Sequence, residues 1–309
     1  MGNPLVSISC ITFNHAPYIR QCLDGLMMQK TSFSFELLIH DDASTDGTAD
    51  IIKEYERKYP DTIKVIYEKE NQWSKGRKGS SLFNFPRSSG KYIALCEGDD
   101  YWIDPLKLQK QVDFLENTNG YSAIASNSLI INEITNDTYP FSNKDTRDII
   151  TLEELILERQ FHTASVMFRA LYVHQPDFEK LGNVYDTMLW CFLLTKNPIY
   201  YVNEISCVYR RGRQGVTEST NPYKWACNCE EWGQNLVSLF CPKYVCKDII
   251  YTNIVVQLLY YSLSLKKNIT LPQRVRLIMK AFKYINLNVF HNAMKSLVEI
   301  IYKYICSKK

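Results

Sequence analysis

Two strand-like runs in the first hundred residues each end in adjacent aspartates, and this arrangement restricts the fold more than any other feature. Lys91-Tyr92-Ile93-Ala94-Leu95-Cys96 passes directly into Glu97-Gly98-Asp99-Asp100-Tyr101-Trp102-Ile103-Asp104-Pro105. A helix start follows, with Asp104 as candidate N-cap and Pro105 at the first helical position. Phe35-Glu36-Leu37-Leu38-Ile39-His40 runs in the same way into Asp41-Asp42-Ala43-Ser44-Thr45-Asp46-Gly47-Thr48. Ser44, Thr45 or Asp46 can cap the next helix, whose Ile51, Ile52, Tyr55 and Tyr59 recur at helical spacing. The carboxyl ends of buried strands are where open α/β sheets bind ligands. Carboxylates there suit a hard divalent cation that also grips substrate phosphates. Asp and Ser are equally residues of turns and caps, so either turn alone has an architectural reading. Their recurrence at two strand ends favours a ligand site.

The surrounding pattern supports an α/β fold with a mostly parallel central sheet flanked by helices. Leu5–Thr12 reads as a strand, and Ile19, Cys22, Leu23, Leu26 and Met27 mark a helix. Ile63–Tyr67 and 91–96 are further strands, with a polar basic loop over 70–79 and a short helix at about 80–88 between them. A helix after Pro105 carries Leu108, Val112 and Leu115. Alternating strands and helices imply right-handed crossovers, and near-continuous apolar strands suit burial on both faces. The middle is less regular. Strands are expected at 122–126, 163–169, 199–202 and 207–210, a capping-box helix opens at Thr151, a helix spans 185–196, and 132–148 reads as polar loop. From about 218 four helices are expected: 223–240, 244–265, 271–285 and 289–306.

Composition removes several function classes. Over 309 residues the net charge is +3, which does not imply a nucleic-acid partner. No export signal precedes the first strand, and no apolar run reaches the roughly 20 residues of a membrane span. A cytoplasmic protein with unpaired cysteines is expected. Cys10, Cys22, Cys96, Cys191 and Cys207 lie in apolar runs and read as core. Cys227, Cys229, Cys241 and Cys246 form the one cluster, but Cys-x-Cys is not the usual zinc-ligand spacing.

Val6-Ser7-Ile8-Ser9-Cys10-Ile11-Thr12-Phe13-Asn14, the Asp41–Asp46 turn and Glu97-Gly98-Asp99-Asp100 together resemble family 2 glycosyltransferases of the GT-A (Rossmann-like) fold. The similarity is clear over residues 4 to about 130 and fainter to about 216. The resemblance implies a GT-A domain over 1–217, with a nucleotide-sugar half to about 130 and an acceptor half over 131–217; 218–309 would be an appended helical subdomain. It implies an inverting transfer from a nucleoside-diphosphate sugar; a carboxylate that accepts a base N–H favours uracil or guanine, so a UDP-sugar is expected, with a glycan or lipid-linked acceptor. Thr12, Asn14, Asp42 and Asp99 would contact the nucleotide, with Asp41 more structural. Asp100 would hold Mn²⁺ or Mg²⁺, a role the carboxylate chemistry also favours. The family pattern is often Asp-x-Asp; here Glu97 takes the first acidic position, as a secondary candidate or an orienting residue. Asp186, in Asn183-Val184-Tyr185-Asp186, matches the family's acidic residue at a helix start and would be the general base, although a cap is its plain alternative. Arg77 and Lys75 in the basic loop could meet phosphate or simply be solvated. His162 precedes a strand lining the acceptor region, and Arg211 and Arg213 stand where related sequences often carry a histidine.

Arg274–Lys309 holds eight Lys or Arg and one acid, Glu299, alongside an apolar stripe from Val289 to Ile305. That combination suits peripheral contact with an anionic membrane at its inner face, or equally a packed helix with solvated lysines. Two other functions fit the acidic turns: a sugar nucleotidylyltransferase, disfavoured by the lack of a Gly-rich phosphate loop, and a non-catalytic nucleotide-sugar-binding scaffold.

Overall fold

The computed structural model describes residues 3–77, 79–142, 148–182, 184–212, 221–241, 243–263 and 269–306. The chain divides into two compact units: Met1–Thr151 with Gln160–Gly212, and Leu152–Arg159 with Arg213–Lys309.

The first unit is built on a curled ten-stranded sheet. Its strands are β1 (Val6–Thr12), β2 (Phe35–Asp41), β3 (Ile63–Tyr67), β4 (Tyr92–Leu95), β5 (Tyr101–Trp102), β6 (Ala123–Asn132), β7 (Asp137–Pro140), β8 (Ile149–Ile150), β9 (Met167–Arg169) and β10 (Ile199–Arg211). They lie in the order β3-β2-β1-β4-β9-β6-β10-β5, with β7 beside β6 and β8 beside β10. The first four are mutually parallel. β9 is antiparallel to both β4 and β6, and β6 and β10 run parallel. Helices α1 (Ile19–Met27), α2 (Thr48–Lys58), α3 (Ser80–Phe83) and α4 (Lys107–Asn117) follow the early strands. Ile19, Cys22, Leu23 and Leu26 of α1, Ile52 of α2, and Leu108, Val112 and Leu115 of α4 are buried with Val6, Ile8, Leu37, Ile39 and Tyr92. Burying one such aliphatic side chain contributes about 1.5–3 kcal/mol.

Buried polar groups fix the segment that carries the basic loop. Asn84 Nδ2 donates to Ser9 Oγ at 2.9 Å, Leu38 O at 3.0 Å and Cys10 O at 3.1 Å. Glu36 Oε1 accepts from Ser7 Oγ at 2.6 Å and from the Ser89 N–H at 2.9 Å. Removing Asn84 would strand buried acceptors, and removing Glu36 would strand donors.

The structure departs from the sequence reading at several places, each with a local cause. Asp104 Oδ1 accepts the Leu106 N–H at 2.9 Å, so Asp104 closes a turn and the α-helix starts only at Lys107. The polar 132–148 stretch contains β7, an exposed strand without apolar alternation, turned back on β6 through Asn136 at φ 61°. The two strands expected at 199–202 and 207–210 are one strand with register shifts around Ile205. Only Met167–Arg169 of 163–169 is strand. Thr163–Ser165 forms a 3₁₀ turn because His162 Nδ1 accepts the Ala164 N–H at 3.3 Å. α5 (Leu152–Leu157) groups with the C-terminal helices, and Asn253 Nδ2 donates to Ile156 O at 2.7 Å. Later in the first unit come α6 (Pro176–Glu179) and α7 (Asp186–Leu194).

The second unit contains α8 (Pro222–Phe240), α9 (Lys247–Leu263), α10 (Leu271–Phe282) and α11 (Leu287–Cys306). Thr270 and Gln273 form a capping box on α10. Gly233 lets α8 approach α9, since a Cβ there would lie 2.5 Å from Ile254 Cγ1. Buried Glu230 accepts from Tyr284 Oη at 2.8 Å and pairs with Lys280. None of the described helices is long and apolar enough to cross a membrane.

Candidate functional site

The ends of β1, β2 and β4 converge at the carboxyl edge of the parallel strands, and their turns are tied together. Asn14, at φ 54°, donates its N–H to Ser44 Oγ at 2.9 Å, and its Oδ1 accepts the Thr45 N–H at 2.8 Å. Ser44 Oγ donates to Asp41 Oδ1 at 2.5 Å. Burial pushes the Asp41 carboxyl up, against these donors. Asp42 is also buried, and its two oxygens accept the N–H groups of Gln72 at 2.6 Å and Trp73 at 3.1 Å. It thereby anchors the start of the basic loop. In that loop Lys75 pairs with Glu70, while Arg77 lies 5.5 Å from the Phe83 ring and donates to Gln72 Oε1 at 3.3 Å.

A small cradle lies between β1 and the second acidic turn. Gly98 occupies it because a Cβ would fall 2.7 Å from Thr12 Oγ1 and 3.0 Å from His15 Nδ1. Both of these atoms are buried and find no hydrogen-bond partner among the described residues. Buried polar atoms left in this state are characteristic of ligand sites. His15, which the sequence reading passed over, also places Nε2 3.9 Å from Asp99 Oδ2. Its only sequence signal is adjacency to Asn14.

Asp100 is the buried centre of the second turn. Its Oδ1 accepts the Arg210 N–H at 2.9 Å, and its Oδ2 is 3.6 Å from His162 Nε2. Because Nδ1 of His162 accepts from Ala164, Nε2 carries the hydrogen and faces Asp100. The imidazole is stacked on Tyr209, with 4.1 Å between ring centroids. Burial first, then the charges of Asp99 and Glu97, push the Asp100 carboxyl well above its usual range. Arg210 also donates through Nη1 to Asp99 O at 3.3 Å and lies 4.6 Å from the Tyr101 ring centre. Arg210, next to the expected Arg211 and Arg213, meets the acidic turn. Arg211 is half-buried at the end of β10, and Arg213 lies outside the described residues.

Asp186 is brought to the same neighbourhood through the 3₁₀ turn. It is the first residue of α7, exposed, with Oδ1 accepting the Thr187 N–H at 2.7 Å and Oδ2 accepting from Thr163 Oγ1 at 3.3 Å. Thr163 directly follows His162. That turn is braced from beneath: Trp102 Nε1 donates to Ala164 O and Gln111 Nε2 to Ser165 O, both at 2.8 Å. Buried Lys107, its pKa pushed down by burial to about 8, donates to Gln111 Oε1 at 2.7 Å and lies 4.3 Å from the Trp102 ring centre.

Among the described residues no three His, Cys, Asp or Glu side chains form a metal cage. Mg²⁺ held mainly by substrate phosphates needs only one or two protein carboxylates, and oxygen ligands suit Mn²⁺ equally. Asp99 and Asp100 can supply them. Burial, and after it the neighbouring charges of Asp99 and Glu97, disfavour the charged form of Asp100, and a divalent ion bound there would favour it. The donor set therefore fits such an ion. In the second unit Cys227, Cys229 and Cys241 are half-buried free thiols and Cys246 is an exposed one.

The sequence model of the family described as "Glycosyl transferase family 2" matches residues 7–174. An uncharacterised protein of Mycobacterium tuberculosis (strain ATCC 25618 / H37Rv) is 34% identical over 217 residues, which span 69% of this chain and 61% of that protein. A Bacillus subtilis (strain 168) protein, provisionally named the teichuronic acid biosynthesis glycosyltransferase TuaG, is 28% identical over 236 residues, 74% of this chain and 86% of TuaG. Residues 1–349 of S. aureus TarS, solved with UDP-GlcNAc, superpose at a TM-score of 0.65 over 95% of this chain and 88% of that one, at 17% identity. The Pyrobaculum calidifontis mannosyltransferase PcManGT, solved with GDP-Man and Mn²⁺, gives a TM-score of 0.56 over 99% and 83%, also at 17% identity. At such identity the last two share the fold, which is the expected GT-A arrangement.

Proposed function

The chain belongs to glycosyl transferase family 2, and on that premise we propose that it moves a sugar from a nucleoside-diphosphate sugar to a hydroxyl of a glycan or lipid-linked acceptor, in one inverting displacement. The observation that carries this reading is the run Asp99–Asp100–His162–Thr163–Asp186, which joins the acidic turn to an exposed carboxylate at a helix start. A single displacement needs that pairing: a carboxylate pair at the diphosphate and one separate base at the attacking hydroxyl.

Asp186 takes the proton of the acceptor hydroxyl. Asp186 stands at the first position of α7, and Thr163 orients its Oδ2. Asp99 and Asp100 would hold Mn²⁺ or Mg²⁺, which when bound supplies Lewis-acid neutralisation of the leaving diphosphate. Glu97 adds to the charge that favours the ion. Thr12 Oγ1 and Asn14, at the end of β1, face the nucleotide. Each Asp42 oxygen keeps a lone pair after accepting from the loop, so it can still take the N–H of a uracil or guanine base. Arg77, with Lys75 behind it, meets the diphosphate from the basic loop. The donor we favour is a UDP-sugar, the class bound by TarS. Catalysis is assigned to the cytoplasm.

A thermal-shift panel of nucleotide sugars with and without Mn²⁺, on wild type and Asp99→Asn, tests the donor site. Stabilisation by one UDP-sugar that depends on metal and is lost in the variant is the expected result; stabilisation only by a nucleoside triphosphate would refute the reading. Asp186→Asn should lower kcat about 10²–10⁴-fold with donor binding intact. NMR of the product should show the inverted anomer.

A further inference from the structure

The last two described helices carry far more uncovered apolar surface than a solvated helix needs. On α10, Leu271, Val275, Met279 and Phe282 are exposed at spacings of four, four and three residues. On α11, Leu287, Phe290, Met294 and Val298 are exposed at spacings of three, four and four. Each set therefore forms one continuous stripe along its helix. The core sides of these helices are separate, through Leu277 and Ala281 on α10 and Val289, Ala293 and Leu297 on α11. The stripes widen the apolar surface beyond the packing face.

An apolar cavity of about 120 Å³ lies between α9, α10 and α11, lined by Val255, Leu259, Ile278, Phe282, Phe290 and Met294 among others. Phe282, Phe290 and Met294 are 63%, 51% and 43% exposed, so the same side chains line the cavity and the outer surface. The cavity thus borders the stripes. An apolar hollow of this size is comparable to the roughly 150 Å³ engineered cavity that takes up benzene, and its lining suits hydrocarbon.

The charges beside the stripes select the partner. Arg276 on α10, Lys283 just past its end and Lys295 on α11 are exposed. The whole Arg274–Lys309 segment has eight Lys or Arg against the single acid Glu299. Arg276, Lys283 and Lys295 beside the stripes would repel a basic partner, and they complement an anionic surface with hydrocarbon beneath it. We propose that α10 and α11 form a docking face for an anionic lipid bilayer, with the stripes entering the acyl boundary and Arg276, Lys283 and Lys295 at the headgroups. The proposal does not rest on the transferase chemistry, and its failure leaves that reading standing. Its success would favour the lipid-linked over the free-glycan acceptor.

The test is flotation of the full chain with phosphatidylglycerol–phosphatidylcholine vesicles and with phosphatidylcholine vesicles. Binding to the anionic vesicles, weakened by salt and much weaker on neutral ones, is expected. Arg276→Glu with Lys283→Glu, both at exposed positions, should weaken partitioning more than about tenfold, at roughly fivefold per basic side chain. Val275→Asp with Phe290→Asp should abolish it while the circular-dichroism melt remains cooperative. If the aspartate pair disturbs folding, the charge-reversal pair alone decides. No binding of the wild type to anionic vesicles overturns the proposal. So does binding indifferent to both pairs, or light scattering that shows a dimer dissolved by Val275→Asp, since a second copy would then cover the face.

Discussion

The turns at Asp41-Asp42 and Asp99-Asp100 carry the same sequence signature and have different surroundings. In the first turn all four carboxylate oxygens accept from the protein: Asp41 from Ser44 Oγ and N–H, Asp42 from Gln72 and Trp73. In the second, Asp100 is held by Arg210 and faced by His162, whereas the half-buried Asp99 carboxylate has His15 Nε2 at 3.9 Å. An acid pair at a strand end therefore marks a place in the fold; its internal donors decide its job. A carboxylate that already holds loop N–H groups shapes that loop and has only its remaining lone pairs to offer a base, whereas one left half-exposed can be offered whole to a ligand.

Substitution separates the two jobs, and the largest effect belongs to Asp99. Asp99→Asn should cut transfer about 10²–10³-fold, the scale of losing one preorganised electrostatic contact, with an unchanged melting temperature. An equal loss of transfer in Asp42→Asn, with Asp99→Asn nearly active, would reverse the comparison. The next effect is on stability. Asp42→Ala leaves the Gln72 and Trp73 N–H groups without their acceptor and should cost about 1–3 kcal/mol in urea unfolding. Through the released loop it should raise donor KM more than it lowers kcat. A variant as stable as wild type would show that the loop does not hang on this carboxylate.

The sequence exposed the frame of this site but not its wiring. Apolar runs and helical spacing located β1 to β4 and α1, α2 and α4 because those elements are buried on regular faces. β7 was hidden because an exposed edge strand has no apolar side to alternate. The 3₁₀ turn after His162 was hidden because a side-chain acceptor, not a propensity, creates it. Arg210 was passed over for its neighbours since β10 bulges near Ile205, and a shifted register decides which side chain faces β5 and the acidic turn. His15 and Gly98 matter through contacts between distant segments, which local pattern does not encode.

The smallest effect should come from Asp41, and it concerns pH. Burial disfavours its charged form, so the folded chain holds this proton above the ordinary value of 3.8. Between that value and the raised one the folded state binds more protons than the unfolded state. The contribution to stability is therefore complete below 3.8 and is lost as pH rises through the folded-state pKa. Asp41→Asn keeps an oxygen for the Ser44 hydroxyl and cannot ionise, so this slope should vanish. Urea midpoints measured across mildly acidic pH should show wild type gaining on the variant as pH falls. Parallel curves would mean that Asp41 ionises as freely as an exposed carboxylate. The first turn would then share the openness assigned here to Asp99, and the distinction between the two turns would rest on Asp42 alone.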